Sequence, residues 1–226
     1  MHIGPLLGSG RTADVFALDD AWVLRRYRHD TDATTELAVM SYLSASGFTV
    51  PRIGPPAGEA LPTDLVMQRL SGPTMSEALL AGALTGAEGA ELLARLLREL
   101  HAIPPRISQD PEDRILHLDL HPENVMLTPH GAVVIDWHTA AEGPPALDRA
   151  MSSLILAQVA LAPGSFPGEL VRGLLADLLS RLDADGGVPA DALALARTRR
   201  AADPGLTAQE TAVIDDAAAL VTELAG

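Results

Sequence analysis

The chain has 226 residues, 47% of them hydrophobic, and a mean hydropathy of +0.17, enough apolar material for one large or two small domains with a real core. It contains no cysteine, which excludes disulfides and cysteine-ligated zinc. A formal net charge of -14 argues against a nucleic acid or an anionic membrane as partner and would suit a cationic small molecule.

The first residues, MHIGPLLGSGRT, lack the basic-then-apolar order of a signal peptide, and no window approaches the ~20 apolar residues of a membrane span. The expectation is a cytoplasmic protein. Residues 5–28 read as short strands: LLGSGRTADVFAL places glycines in a turn before a β-branched exit, and WVLRRY follows. Thr31 to Ser46 reads as a helix, with Leu37, Met40 and Leu43 at helical spacing. Gly47 ends it, and DLVMQRL (Asp64 to Leu70) reads as a further strand.

Beyond that point the chain reads as helical. Thr74 with Glu77 and Thr85 with Glu88 fit the capping box, in which each side chain meets a free backbone N–H of the first turn. The second box precedes Leu92, Leu93, Leu96, Leu97 and Leu100, a buried stripe. Three more helices are expected near 146–161, 168–183 and 189–200. A last one follows a third box at Thr207 and Glu210, with Val213, Ile214, Ala217, Leu220 and Leu224 inward. The basic run RTRR (Arg197 to Arg200) reads as a solvated patch balancing nearby acids.

One stretch breaks the apolar pattern. ILHLDLHPENVML (Ile115 to Leu127) sets His117, Asp119, His121 and Asn124 in an apolar frame, and Pro122 marks a loop. Val125–Leu127 and Ala132–Ile135 read as a hairpin across TPHG, ending at Asp136. An amide oxygen (Asn124) and a carboxylate (Asp136) at neighbouring hairpin ends make a hard-oxygen site suited to Mg2+. Asp119, a few residues earlier, could accept a proton from an attacking hydroxyl. Zinc is a poor alternative, since no third histidine lies at ligand spacing from His117 and His121.

The H-x-D-x-x-x-x-N pattern with its downstream aspartate resembles the catalytic and metal-binding segments of the protein-kinase-like fold, and most closely those of the aminoglycoside phosphotransferase and choline kinase families. GSGRTADV resembles the glycine-rich loop, WVLRRY the strand bearing a phosphate-binding cation, and LVMQRLSG the strand that receives adenine.

The resemblance implies an α+β, two-lobed fold. Residues 1–72 would form a β-rich N-lobe and 73–226 a helical C-lobe, with a reduced acceptor-site insertion between His101 and Leu116. It implies ATP and Mg2+ as cofactors and a small-molecule hydroxyl (aminoglycoside, amino alcohol or secondary metabolite) as acceptor. Nucleotide contacts would fall on Gly8, Ser9, Gly10, Arg11, Val15, Val23, Arg25, Glu36, Met67, Gln68 and Leu70. Among these, Arg25 stands where the kinase-like pattern expects lysine and choline kinase-like members carry arginine, and Glu36 would pair with it. Asn124 and Asp136 would hold the metal, Asp119 would orient the acceptor hydroxyl and take its proton as the catalytic base, and His117 would prop its loop. Asp148 stands where the family places a structural aspartate, although a charge favoured by the helix dipole is a sufficient reading. Two rivals keep the fold and change the role: a non-catalytic nucleotide-binding or scaffold module, and an enzyme that phosphorylates a peptide.

Overall fold

The computed structural model describes residues 3–28, 32–56, 61–162 and 166–226; Thr31, the expected start of the first helix, lies outside them. The fold is mixed α+β, a β-sheet followed by helices, as expected. Two compact units emerge, Met1–Gly72 with Met126–His138, and Pro73–Val125 with Thr139–Gly226.

The first unit is built on four antiparallel strands in chain order, β1 (Leu6–Ser9), β2 (Ala13–Ala17), β3 (Trp22–Tyr27) and β4 (Asp64–Gln68). Register sets Gly8 opposite Val15, Val15 opposite Arg25, and Val23 opposite Met67. Strand alternation then sorts the two arginines of β3. Arg25 is buried, while Arg26 points to the other face and pairs with Asp64 at 2.7 Å.

Helix α1 (Thr34–Ala45) buries Glu36, Val39, Met40 and Leu43. Leu37, expected inside, is 36% exposed, and Glu36 takes the inward position one residue earlier. The hairpin of β6 (Val125–Thr128) and β7 (Gly131–Val134) is joined to this unit. Val134 N donates to Thr49 O at 3.2 Å, and Trp137 packs edge-on against Phe48 with ring centres 5.7 Å apart. Gly72 is fixed by the same hairpin: its φ is +126°, and a Cβ there would lie 2.1 Å from the Leu127 carbonyl oxygen.

The second unit is helical. Helices α2 (Met75–Leu80) and α3 (Gly86–His101) begin with the two expected capping boxes. A third box opens α7 (Ala208–Ala212), which ends at Val213 before α8 (Ile214–Ala225), so the expected last helix is two. Val221 takes an inward place beside Ile214, Ala217 and Leu220. In α4 (Pro145–Leu161) every residue from Leu147 to Gln158 is buried, because α5 (Gly168–Leu182), α6 (Ala190–Ala201) and α8 pack around it. Two three-residue strands, β5 (Arg114–Leu116) and β8 (Ala141–Gly143), pair antiparallel and bracket the polar loop.

Candidate active site

In the first unit the site is organised by Glu36. Burial of a carboxylate is tolerated where charge and hydrogen bonds satisfy it. One oxygen of Glu36 accepts from Arg25 at 3.2 Å and from the backbone N–H of Trp137 at 2.9 Å; the other accepts from the Tyr27 hydroxyl. The second guanidinium nitrogen of Arg25 reaches Asp136 at 2.5 Å. Arg25, Glu36 and Asp136 therefore meet, with Tyr27 and His138 as partners absent from the expected nucleotide-binding set. Tyr27 lies two residues beyond Arg25 on the same strand face, a spacing that could have flagged it. The chain has no lysine at all, and its 16 basic residues other than histidine are arginines.

Asp136 has φ +67°, a left-handed conformation that turns the chain sharply out of β7. Burial pushes its carboxyl pKa upward, but the hydrogen bond from His138 and the Arg25 charge outweigh this and hold it far below the usual range. The same hydrogen bond, at 2.6 Å, raises the pKa of His138 above its ordinary value.

The glycine loop is tied at its base. Ser9 Oγ donates to Asp14 at 2.7 Å and accepts from Arg28 at 2.5 Å. Gly8 and Gly10 have no positive φ, a Cβ at Gly8 would meet nothing, and one at Gly10 would only make ordinary contact. Arg11 is exposed. Of the expected adenine residues, Met67 and Gln68 lie at the end of β4 and Leu70 just beyond it. The Gln68 side chain accepts from Arg52 Nε at 3.1 Å.

In the second unit the polar loop is held by Asp148, which is fully buried near the start of α4. Its oxygens accept from His117 N at 3.0 Å and Leu118 N at 2.7 Å and face His101 Nε2 at 3.0 Å. Burial raises the pKa of Asp148, but the His101 hydrogen bond and charge, with the His117 N–H, bring it below the ordinary value. Leu118 is left-handed at φ +62°, costing on the order of 1–3 kcal/mol that these bonds offset. Asp148 is thus far more than a dipole-favoured charge, and no sequence signal marked His101 as its partner.

The imidazole of His117 has no exposed surface, and its Nδ1 accepts from Asp119 N at 3.2 Å. Thr139 Oγ1 donates to the His117 carbonyl at 2.9 Å. Asn124 Nδ2 donates to the Asp119 carbonyl oxygen at 2.8 Å and to its carboxylate at 3.1 Å. So His117, Asp119 and Asn124 come together, while Asp136 belongs to the other unit. Burial pushes the Asp119 pKa up, but His121, His117 and Arg200 together hold it below the usual range. Arg200 departs from the solvated-patch reading: its side chain is 11% exposed, and Nη1 lies 3.7 Å from Asp119.

Comparison with curated proteins found no match. Among solved structures the chain is similar to the gentamicin complex of APH(2")-IIa, at 13% identity over 97% of this chain and 88% of that one, with a TM-score of 0.59. It is also similar to a choline/ethanolamine kinase family protein from Mesorhizobium loti, at 16% identity over 98% and 88% of the two chains, TM-score 0.58. A third likeness is to amicoumacin kinase hAmiN in complex with AMP-PNP, Ca2+ and Ami, at 14% identity over 97% and 87%, TM-score 0.55. At such identities the likeness establishes the fold. The sequence itself matches one family model across residues 4–114 and 108–191, most of both units, and the chain belongs to the phosphotransferase enzyme family.

Proposed function

We propose that the protein transfers the γ-phosphoryl group of ATP, with Mg2+, to a hydroxyl of a small molecule. The observation that carries this reading is Asp119: an acid held ionised in a loop that Asp148 and His117 pin from behind. Phosphoryl transfer asks a protein for alignment and charge more than covalent chemistry. Asp119 would accept the hydrogen bond of the acceptor hydroxyl, orient it, and take its proton as the bond to phosphorus forms. Arg25, held by Glu36, would grip the phosphates. The backbone N–H groups of residues 9–12 would cover them, since nothing in the fold demands glycine at Gly8 and the space there is open for close approach.

The donor chemistry fits Mg2+. The amide nitrogen of Asn124 is committed to Asp119, which leaves its oxygen to offer, and one oxygen of Asp136 takes the bonds from Arg25 and His138. One amide oxygen and one carboxylate oxygen, completed by phosphate and water, is a set that Mg2+ accepts. Bound there, it would neutralise charge on the phosphates. The ligands bound in the similar structures, gentamicin and AMP-PNP among them, support a nucleotide and a small-molecule acceptor.

Thermal melting with ATP, with and without Mg2+, tests the reading. A metal-dependent rise in Tm is expected in the parent and in Asp119→Asn, and its loss in Asp136→Ala. Asp119→Asn should lower turnover by about a thousandfold. No Tm rise in the folded parent would refute the proposal.

A further inference from the structure

The second unit contains a cavity of about 120 Å³, one of whose lining residues, Arg200, lies 3.7 Å from Asp119. Its walls are mostly hydrocarbon: Ile155 and Val159 of α4, Ala162 at the end of that helix, and Phe166. Its polar lining consists of Gln158, Arg200 and Glu210. The volume approaches the ~150 Å³ of a protein cavity that takes up benzene, so one ring or a short branched chain would fill it.

The polar groups are already engaged in ways that say what can enter. Gln158 bridges three helices, accepting from Arg200 Nε at 2.9 Å and donating to the Glu210 carbonyl at 2.9 Å. The Glu210 carboxylate caps α7, taking the N–H and hydroxyl of Thr207, both at 2.8 Å. Arg200 Nη1 stands 3.7 Å from Asp119 and 3.6 Å from Asp203. An ammonium approaching Asp119 from the cavity would have to displace a guanidinium already there, and like charges at that distance repel. An apolar group there meets a mainly hydrocarbon lining and disturbs none of these pairs.

We propose that this cavity is an acceptor subsite for one apolar ring or branched chain, and that Arg200, which lines it and lies 3.7 Å from Asp119, selects a hydroxyl compound with an apolar substituent over a polycation. The acceptor role rests on the phosphotransferase reading of Asp119; the occupancy of the cavity does not.

The test uses the full chain and two probes, benzyl alcohol and the polycation kanamycin. Saturation-transfer NMR should show benzyl alcohol binding to the parent, and Val159→Trp, which fills the cavity, should weaken it about tenfold or more. Should Val159→Trp melt below the assay temperature, Ala162→Phe fills the same space from its rim and is read in the same way. With ATP and Mg2+, ADP release with benzyl alcohol should exceed that with kanamycin by about tenfold. Equal benzyl alcohol affinity in parent and filled variant, displacement of benzyl alcohol by kanamycin, or the reverse order of ADP release would each overturn the proposal. The ATP melts separate the two readings. Nucleotide stabilisation without alcohol binding overturns the subsite alone; alcohol binding without nucleotide stabilisation overturns the phosphotransferase reading and the acceptor role with it.

Discussion

Each unit uses one buried helical carboxylate to fix a strained turn, and the two do it differently. Glu36 accepts the N–H that follows Asp136, and Asp148 accepts the N–H of Leu118 just before Asp119. In both places a left-handed residue, at φ +67° or +62°, adjoins that bond. Asp148 spends its oxygens on backbone N–H groups and one imidazole and has no exposed surface. Glu36 spends part of its capacity on Arg25, whose other nitrogen is bound to Asp136. The first arrangement only holds a backbone in shape. The second also aims a charge, so its geometry can answer to whatever else approaches that charge.

Asp148→Ala should be the most damaging change, because it strands two buried N–H groups beside a strained leucine. Urea melts should show a loss of about 3–5 kcal/mol. A loss of under about 1 kcal/mol would break the view of Asp148 as the anchor of its loop. Glu36→Gln keeps an acceptor oxygen for Trp137 and removes the charge facing Arg25, and should cost about 2 kcal/mol. ATP-dependent stabilisation should weaken in that variant, whereas a conservative change at Asp148 should leave nucleotide response intact.

Thr85→Ala removes the cap of α3, the helix that carries His101 to Asp148, and should cost about 1 kcal/mol by melting. The smallest effect belongs to His138. Its pKa is raised, so its pairing with Asp136 contributes fully below the ordinary histidine value of 6.5 and is lost as pH rises through the raised value. Parent stability should fall over that interval by up to about 1 kcal/mol relative to His138→Gln. Parallel Tm curves for the two proteins would show that the pair contributes nothing.

Much of this was legible in the sequence because it is written locally. Three capping boxes, the β3 alternation that buries Arg25, and the H-x-D-x-x-x-x-N loop depend on residues within a few positions of one another. What failed depends on partners distant in the chain. Leu37 looked inward because leucines usually are; the buried place went to Glu36, whose partners Arg25 and Trp137 are 11 and 101 positions away. Arg200 looked like a surface charge because its neighbours are arginines, yet Gln158 and Asp119 draw it inward. β5 and β8 are three residues each, too short for a period to show. α4 is buried on all sides, so its sequence carries no stripe to say which face meets which helix.

The cation at Asp136 is an arginine in a chain without lysine. A guanidinium keeps its proton to beyond about pH 12, so a phosphate grip built on it would not relax in alkaline buffer as one built on an amine would. The same substitution changes how the site can be labelled. Nucleotide probes that mark a pocket by acylating a lysine amine would find none to react with, and a blank result from such a probe would say nothing about whether nucleotide binds.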